Sequence, residues 1–61
     1  RRSIVCNKDL KEGAIMSIED INFLRPCPKN SFHPYQVDMV IGKKLKTNKK
    51  KNESIFKEDI C

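Results

Sequence analysis

"IFKEDI" spans Ile55 to Ile60, and "MSIEDI" spans Met16 to Ile21. Both strings end in Glu-Asp-Ile, and a turn residue stands a few places upstream of each: Gly13 before the first, Asn52 before the second. Aligning Gly13 with Asn52 places Asp9 on Asn48, Met16 on Ile55, Glu19 on Glu58, Asp20 on Asp59 and Ile21 on Ile60, at a constant offset of 39 residues. Asn is the non-glycine residue that best tolerates a left-handed backbone, so Gly13 and Asn52 can make the same turn. Each copy reads as turn, apolar pair, acidic turn, apolar anchor. Two such units can pack about a pseudo-two-fold axis, each covering the other's apolar side. Glu-Asp-Ile is also a short string that chance can repeat, and the copies differ, since Leu10 falls on Lys49 and Ser17 on Phe56.

Outward from the echo, "SIVCN" (Ser3 to Asn7) reads as a short strand with β-branched Ile4 and Val5. Ser17 is placed to cap a short helical turn whose N-terminal end suits the carboxylates of Glu19 and Asp20. "INFLR" alternates, with Ile21, Phe23 and Arg25 on one face and Asn22 and Leu24 on the other. "PCPKNSFHP" must be loop, because Pro26, Pro28 and Pro34 cannot donate to a ladder. Pro34 suits the first turn of a helix over "YQVDMVIG", where Val37, Val40 and Ile41 make one apolar face and Gly42 ends it. The segment "KKLKTNKKKN" holds six lysines between Lys43 and Lys51 and is read as a solvated loop around an apolar Leu45. Strands are therefore expected at Ile4–Cys6, at Ile21–Leu24 and near Leu45, with the longest helix inside Tyr35–Ile41. Ile21, Ile60, Val40 and Leu45 are the expected core.

A 61-residue chain makes one domain at most and has little room for an enclosed active site. Its 38% hydrophobic and 34% charged residues are ordinary for a folded domain. No apolar run approaches the ~20 residues of a membrane span, and "RRSIVCNKD" lacks the apolar core of a signal peptide. The chain starts without Met and ends on Cys61, so it is read as a domain cut from a longer protein. The net charge of +5 fits a solvated basic surface, a nucleic-acid partner or a removed acidic partner domain. The lysine run lacks interleaved aromatics for base stacking, which makes nucleic acid the weaker reading. Three widely spaced cysteines (Cys6, Cys27 and Cys61) fit a reducing, cytoplasmic setting, although a Cys6–Cys27 bridge is compatible with the sequence. No thiol stands at zinc-finger spacing from His33, and no phosphate-cradling glycine motif is present. Read from the chain alone, Arg25 is a surface arginine at a strand end, His33 a helix-entry residue and Cys27 an inert thiol.

"RRSIV", "DLKEGAIMSIEDI", "LRP", a proline-containing loop, "VIGKKL" and "ESIFKEDI", in that order, resemble the SAF or antifreeze-like domain over essentially all 61 residues. That domain forms the C-terminus of sialic acid synthases (N-acylneuraminate synthases), and the type III antifreeze protein of fish shares its fold. The resemblance implies a small, mostly β, pretzel-like β-clip fold of short strands and short helical turns with an internal pseudo-two-fold repeat. Residues 1–61 would then be one such domain, with a (β/α)8 barrel upstream in the parent enzyme. The barrel condenses phosphoenolpyruvate with N-acetylmannosamine, or its 6-phosphate, using a divalent metal that this domain does not hold. A swapped homodimer is implied, in which the domain covers the barrel mouth of the second subunit. The arginine of the family's "RPG" motif reaches the sugar's acylamino group there, and the matching residue is Arg25, in "RPC".

This chain departs from the family pattern in two places. "RPCPKNSFHP" replaces "RPGxGI" with a longer loop that has no glycine there, so Lys29 becomes a second candidate for sugar contact. Lys49 and Asn52 stand where the second repeat usually has an apolar residue and glycine, so that end is expected to be looser. Three functions follow: an accessory domain of a sialic acid synthase, a stand-alone ice- or carbohydrate-recognition module, or a small basic nucleic-acid-binding domain. Ice binding wants few charges, and the first-repeat surface carries Lys11, Glu12 and Glu19. By itself the chain is expected to be non-catalytic, because it has no cluster to hold a divalent ion and a phosphate together.

Overall fold

The computed structural model describes residues 2–60. Arg1 of the lead-in and the thiol of Cys61 lie outside them. Two strands, β1 (Ser3–Cys6) and β2 (Ile21–Leu24), pair antiparallel, with Cys6 opposite Ile21 and Ser3 opposite Leu24. The rest is turns and short 3-10 helices at Ile18–Asp20, Pro34–Met39 and Lys57–Asp59. β1 is buried along its length, because both of its faces are covered. β2 shows the expected alternation: Ile21 is buried, Phe23 half-buried, and Asn22 and Leu24 exposed.

The 39-residue echo is a structural repeat. Gly13 N–H donates to Leu45 O (2.9 Å), and Asn52 N–H donates to Cys6 O (2.7 Å). Leu45 N–H donates to Ala14 O, and Cys6 N–H to Glu53 O. Met16 N–H donates to Lys43 O, and Ile55 N–H to Ile4 O. Even the side chains follow the rule: Glu12 N–H donates to Asn48 Oδ1 and Lys51 N–H to Asp9 Oδ1, both at 2.8 Å. In each of these couples, both partners of one bond are displaced from their counterparts by the same offset, so the two halves bind each other reciprocally. Leu10 and Lys49 are each other's counterparts. Their amides exchange two bonds (2.7 and 2.8 Å), which places the pseudo-two-fold axis between them. Gly13 (φ +94°) and Asn52 (φ +72°) both take the left-handed turn.

The Glu-Asp-Ile string is needed twice because it carries a cap and an anchor. In each copy the Asp carboxylate reaches back to the amide three residues earlier: Asp20 to Ser17 N–H (3.3 Å) and Asp59 to Phe56 N–H (2.9 Å). That satisfies an amide the helical turn leaves free. Ser17 does stand at the N-cap, but its hydroxyl donates to Asp20 (2.9 Å) and accepts no backbone bond. Phe56 can therefore replace Ser17 in the second copy. The next residue, Ile21 or Ile60, then enters the core, opposite Cys6 or Leu45 respectively.

The core joins Ile4, Cys6, Met16, Ile21, Phe32, Val40, Leu45, Ile55 and Ile60, with Val37 and Ile41 packed against it. Full burial of an aliphatic side chain such as Ile4 or Ile55 stabilises by about 1.5–3 kcal/mol. Two expectations are corrected. Around Leu45 there is no strand, only isolated bridges to Ile15 and Ile60; among the described residues only Ile60 stands where β2 stands in the first repeat. The Pro34–Met39 helix is of the 3-10 type and starts one residue earlier than expected, with Gly42 (φ +85°) turning the chain beyond it.

The acidic turns differ in how their Asp is neutralised. Lys8 Nζ lies 3.0 Å from Asp20 and is mostly exposed. The residue equivalent to Lys8 in the second repeat is Thr47, and Lys49 takes the role: its Nζ is 2.7 Å from Asp59, with both side chains about nine-tenths buried. The lysine run is thus not uniformly solvated. Lys49 folds inward over the Phe56 ring, 5.1 Å from its centroid, so the end expected to be looser is held by an inward ion pair.

Lys8 above all, with help from Ser17, holds the Asp20 carboxyl below the usual carboxylate range, against an opposing push from burial. A carboxyl depressed in the folded state adds stability that is complete above its unfolded pKa, about 3.9, and is lost as pH falls through the folded value. Denaturant unfolding should therefore show Asp20→Asn less stable than the parent at pH 7. The gap should shrink as pH drops below about 4. A gap that is constant between pH 7 and pH 2.5 would exclude this ionic contribution.

Candidate functional site

Arg25 and Lys29 sit on the loop that leaves β2, and both are exposed. Among the described residues neither is in an ion pair. The loop is irregular but anchored along its length. The Arg25–Pro26 peptide is cis. Ser3 Oγ, fully buried, donates to Pro26 O (3.0 Å) and so fixes the carbonyl next to Arg25. Its single hydrogen is used there, so Ser54 Oγ must donate to Ser3 at 3.1 Å. Asn30 takes a left-handed φ of +68°, and its carbonyl accepts Lys57 N–H (2.9 Å) from the second repeat. Ser31 bridges to Phe56, and Phe32 is buried, its carbonyl accepting Ile4 N–H (3.0 Å). Although "PCPKNSF" has no glycine, it is tied to β1 and to both repeats, and it presents two cations outward.

His33 takes the N-cap of the Pro34–Met39 helix, as expected of a helix-entry residue. Its N–H donates to Gln36 Oε1 (2.9 Å), and its ring stacks on exposed Tyr35 at 5.4 Å. Sequence reasoning missed one contact: Cys27 Sγ lies 3.5 Å from His33 Nδ1 and 3.4 Å from Ser31 Oγ. A cysteine and a histidine six residues apart across two prolines signal little by themselves. Cys6 is a free thiol in the core. Burial pushes it up to about 11, partly opposed by Lys49. Cys27 is also free, so no bridge joins the two.

Among the described residues no group of His, Cys, Asp or Glu converges to hold a metal ion, and no cavity opens to enclose a small molecule. No helix of the described residues is long and apolar enough to cross a membrane. What the domain offers chemically is a surface, on which Arg25 brings a planar set of donors and Lys29 a point charge.

The chain is 28% identical, over 98% of its length, to an uncharacterised protein of Methanocaldococcus jannaschii, but spans only 17% of that relative's length. In structure it is similar to the antifreeze-protein-like domain in human N-acetylneuraminic acid phosphate synthase. The TM-score is 0.86 at 22% identity, covering 97% of this chain and 73% of the human one. The SAF domain model matches residues 1–60, which include the echoed turns and the Arg25 loop, and the chain belongs to the SAF domain family.

Proposed function

We propose that this chain is the accessory domain of a sialic acid synthase, an enzyme that condenses phosphoenolpyruvate with N-acetylmannosamine or its 6-phosphate. The observation that carries the reading is an exposed Arg25 on an anchored loop of a fold like that of the human synthase domain. With no cavity among the described residues, the domain does not hold the sugar alone and acts by covering the barrel of a second subunit in a homodimer. Arg25 donates there to the neutral acylamino oxygen of the sugar, and Lys29 lies close enough along the loop to assist. The divalent metal belongs to the barrel. Free thiols at Cys6 and Cys27 favour a reducing, cytoplasmic setting.

The test uses the parent protein. Phosphate release from phosphoenolpyruvate should depend on adding N-acetylmannosamine or its 6-phosphate together with a divalent metal. The 61-residue chain alone should release none. Absence of sugar-dependent release by the parent protein would overturn the assignment.

A further inference from the structure

Ser3 opens β1 ahead of Ile4, Val5 and Cys6, and its side chain is fully buried. A hydroxyl taken out of water is destabilising unless it is hydrogen-bonded. Ser3 Oγ donates to Pro26 O at 3.0 Å and stands 3.5 Å from Leu24 O. Those are the carbonyls of the two residues that flank Arg25. The backbone of Ser3 is itself fixed, because Ser3 pairs with Leu24 in the β1–β2 ladder. Ser54 lies along the other edge of β1, where it bridges to Val5, and its Oγ is 3.1 Å from Ser3 Oγ. With Ser54 donating, the one hydrogen of Ser3 is left for the loop. The hydroxyl pair thus links the second repeat to the backbone on both sides of Arg25.

The two-fold repeat does not itself require this pair. At the 39-residue offset Ser3 falls on Gly42 and Ser54 on Ile15, which is 55% exposed. The corresponding place in the second repeat is therefore built without a hydroxyl at either position. The pair occurs only where the chain leaves β2 for the Arg25 loop, and the carbonyl it binds belongs to that loop. We propose that Ser3 is a positioning residue for sugar binding, which holds the backbone at the root of the Arg25 side chain while Ser54 directs its hydrogen. The proposal rests on the sugar contact assigned to Arg25 above. Neither serine touches the sugar; both act through Arg25. Fixing the backbone where a long side chain starts narrows the arc that its guanidinium sweeps. A displacement of about 1 Å at a reacting site can lower a rate by about a hundredfold, so a modest loosening of the loop has a measurable effect.

The experiment is a double-mutant cycle in the parent protein, with N-acetylmannosamine or its 6-phosphate varied at saturating phosphoenolpyruvate. Ser3→Ala removes the donor and leaves a side chain of nearly the same size. It should lower kcat/KM for the sugar about tenfold and change the kinetics toward phosphoenolpyruvate less than about twofold. In an Arg25→Ala background the same substitution should have no further effect beyond about twofold, because the residue it positions is gone. Ser54→Ala leaves the Ser3 donor in place and should lower kcat/KM for the sugar by only about threefold, again only when Arg25 is present. Backbone order parameters of the 61-residue chain supply a readout apart from activity. In Ser3→Ala those of Arg25 and Cys27 should fall from about 0.85 toward 0.6, while those of Ile4 and Ile55 hold. Sugar kinetics equal to the parent's in Ser3→Ala would overturn the proposal, as would a loss that persists undiminished without Arg25 or falls equally on both substrates. If Ser3→Ala does not fold, Ser54→Ala decides by the same criteria. A parent protein with no sugar-dependent phosphate release would instead remove the assigned sugar contact, and this proposal with it.

Discussion

Replacing Lys49 by alanine is expected to destabilise the domain by about 3 kcal/mol, at the low end of the cost of breaking a buried ion pair from one side. Lys49 and Asp59 meet at 2.7 Å with about a tenth of each side chain exposed. Removing the ammonium leaves the Asp59 carboxylate with the Phe56 amide as its remaining partner. The loss would also remove the Lys49 stem from the Phe56 ring. A domain of this length has on the order of 3–9 kcal/mol in all, so the variant should unfold at a Tm lower by roughly 10–25 °C. Asp59→Asn should cost less, because the amide still accepts the Phe56 N–H bond, and Lys49→Met with Asp59→Asn should recover much of the loss by removing both charges. Denaturant unfolding at pH 7 checks all three. A cost under 0.5 kcal/mol for Lys49→Ala would place the pair with ordinary surface salt bridges.

Arg25→Ala, made in the parent protein, is expected to lower kcat/KM for the sugar roughly ten- to hundredfold, the equivalent of a charged-donor hydrogen bond of about 1.5–3 kcal/mol. The unfolding midpoint should not move, because Arg25 is exposed and is in no ion pair among the described residues. The kinetics toward phosphoenolpyruvate should change far less, since the proposed contact is to the acylamino group. Lys29→Ala should have the smaller effect, as a point charge offers no planar fork. Sugar kinetics equal to the parent's in Arg25→Ala would remove this residue from the site; a large loss in Lys29→Ala instead would show that the longer loop has handed the contact along.

Most of the architecture was legible before the structure because the chain states it twice. Turn, cap and anchor recur at a constant offset, and both copies obey the same local chemistry: positive φ at Gly13 and Asn52, a back-reaching Asp, and a buried Ile. Strands β1 and β2 were readable from β-branched content and alternation. The helix at Pro34 was readable from proline and glycine punctuation, though not its 3-10 geometry.

The sequence by itself determined the two repeats, their common turn and the core residues, because each depends on local backbone preference or on apolar spacing. The sequence also carried the resemblance that singled out Arg25. Only the tertiary structure decided which lysine of the run turns inward. Thr47 cannot do for Asp59 what Lys8 does for Asp20, so the charge is met by a residue on the pseudo-two-fold axis, where Lys49 faces Leu10. It likewise decided the Cys27–His33 contact and the anchoring of Arg25 through Ser3, since these join an aperiodic loop to segments it meets only when folded. Local patterns repeat along a chain and can be read there. A buried charge or a thiol–imidazole contact depends on where distant or irregular segments come to rest, and that is set by packing.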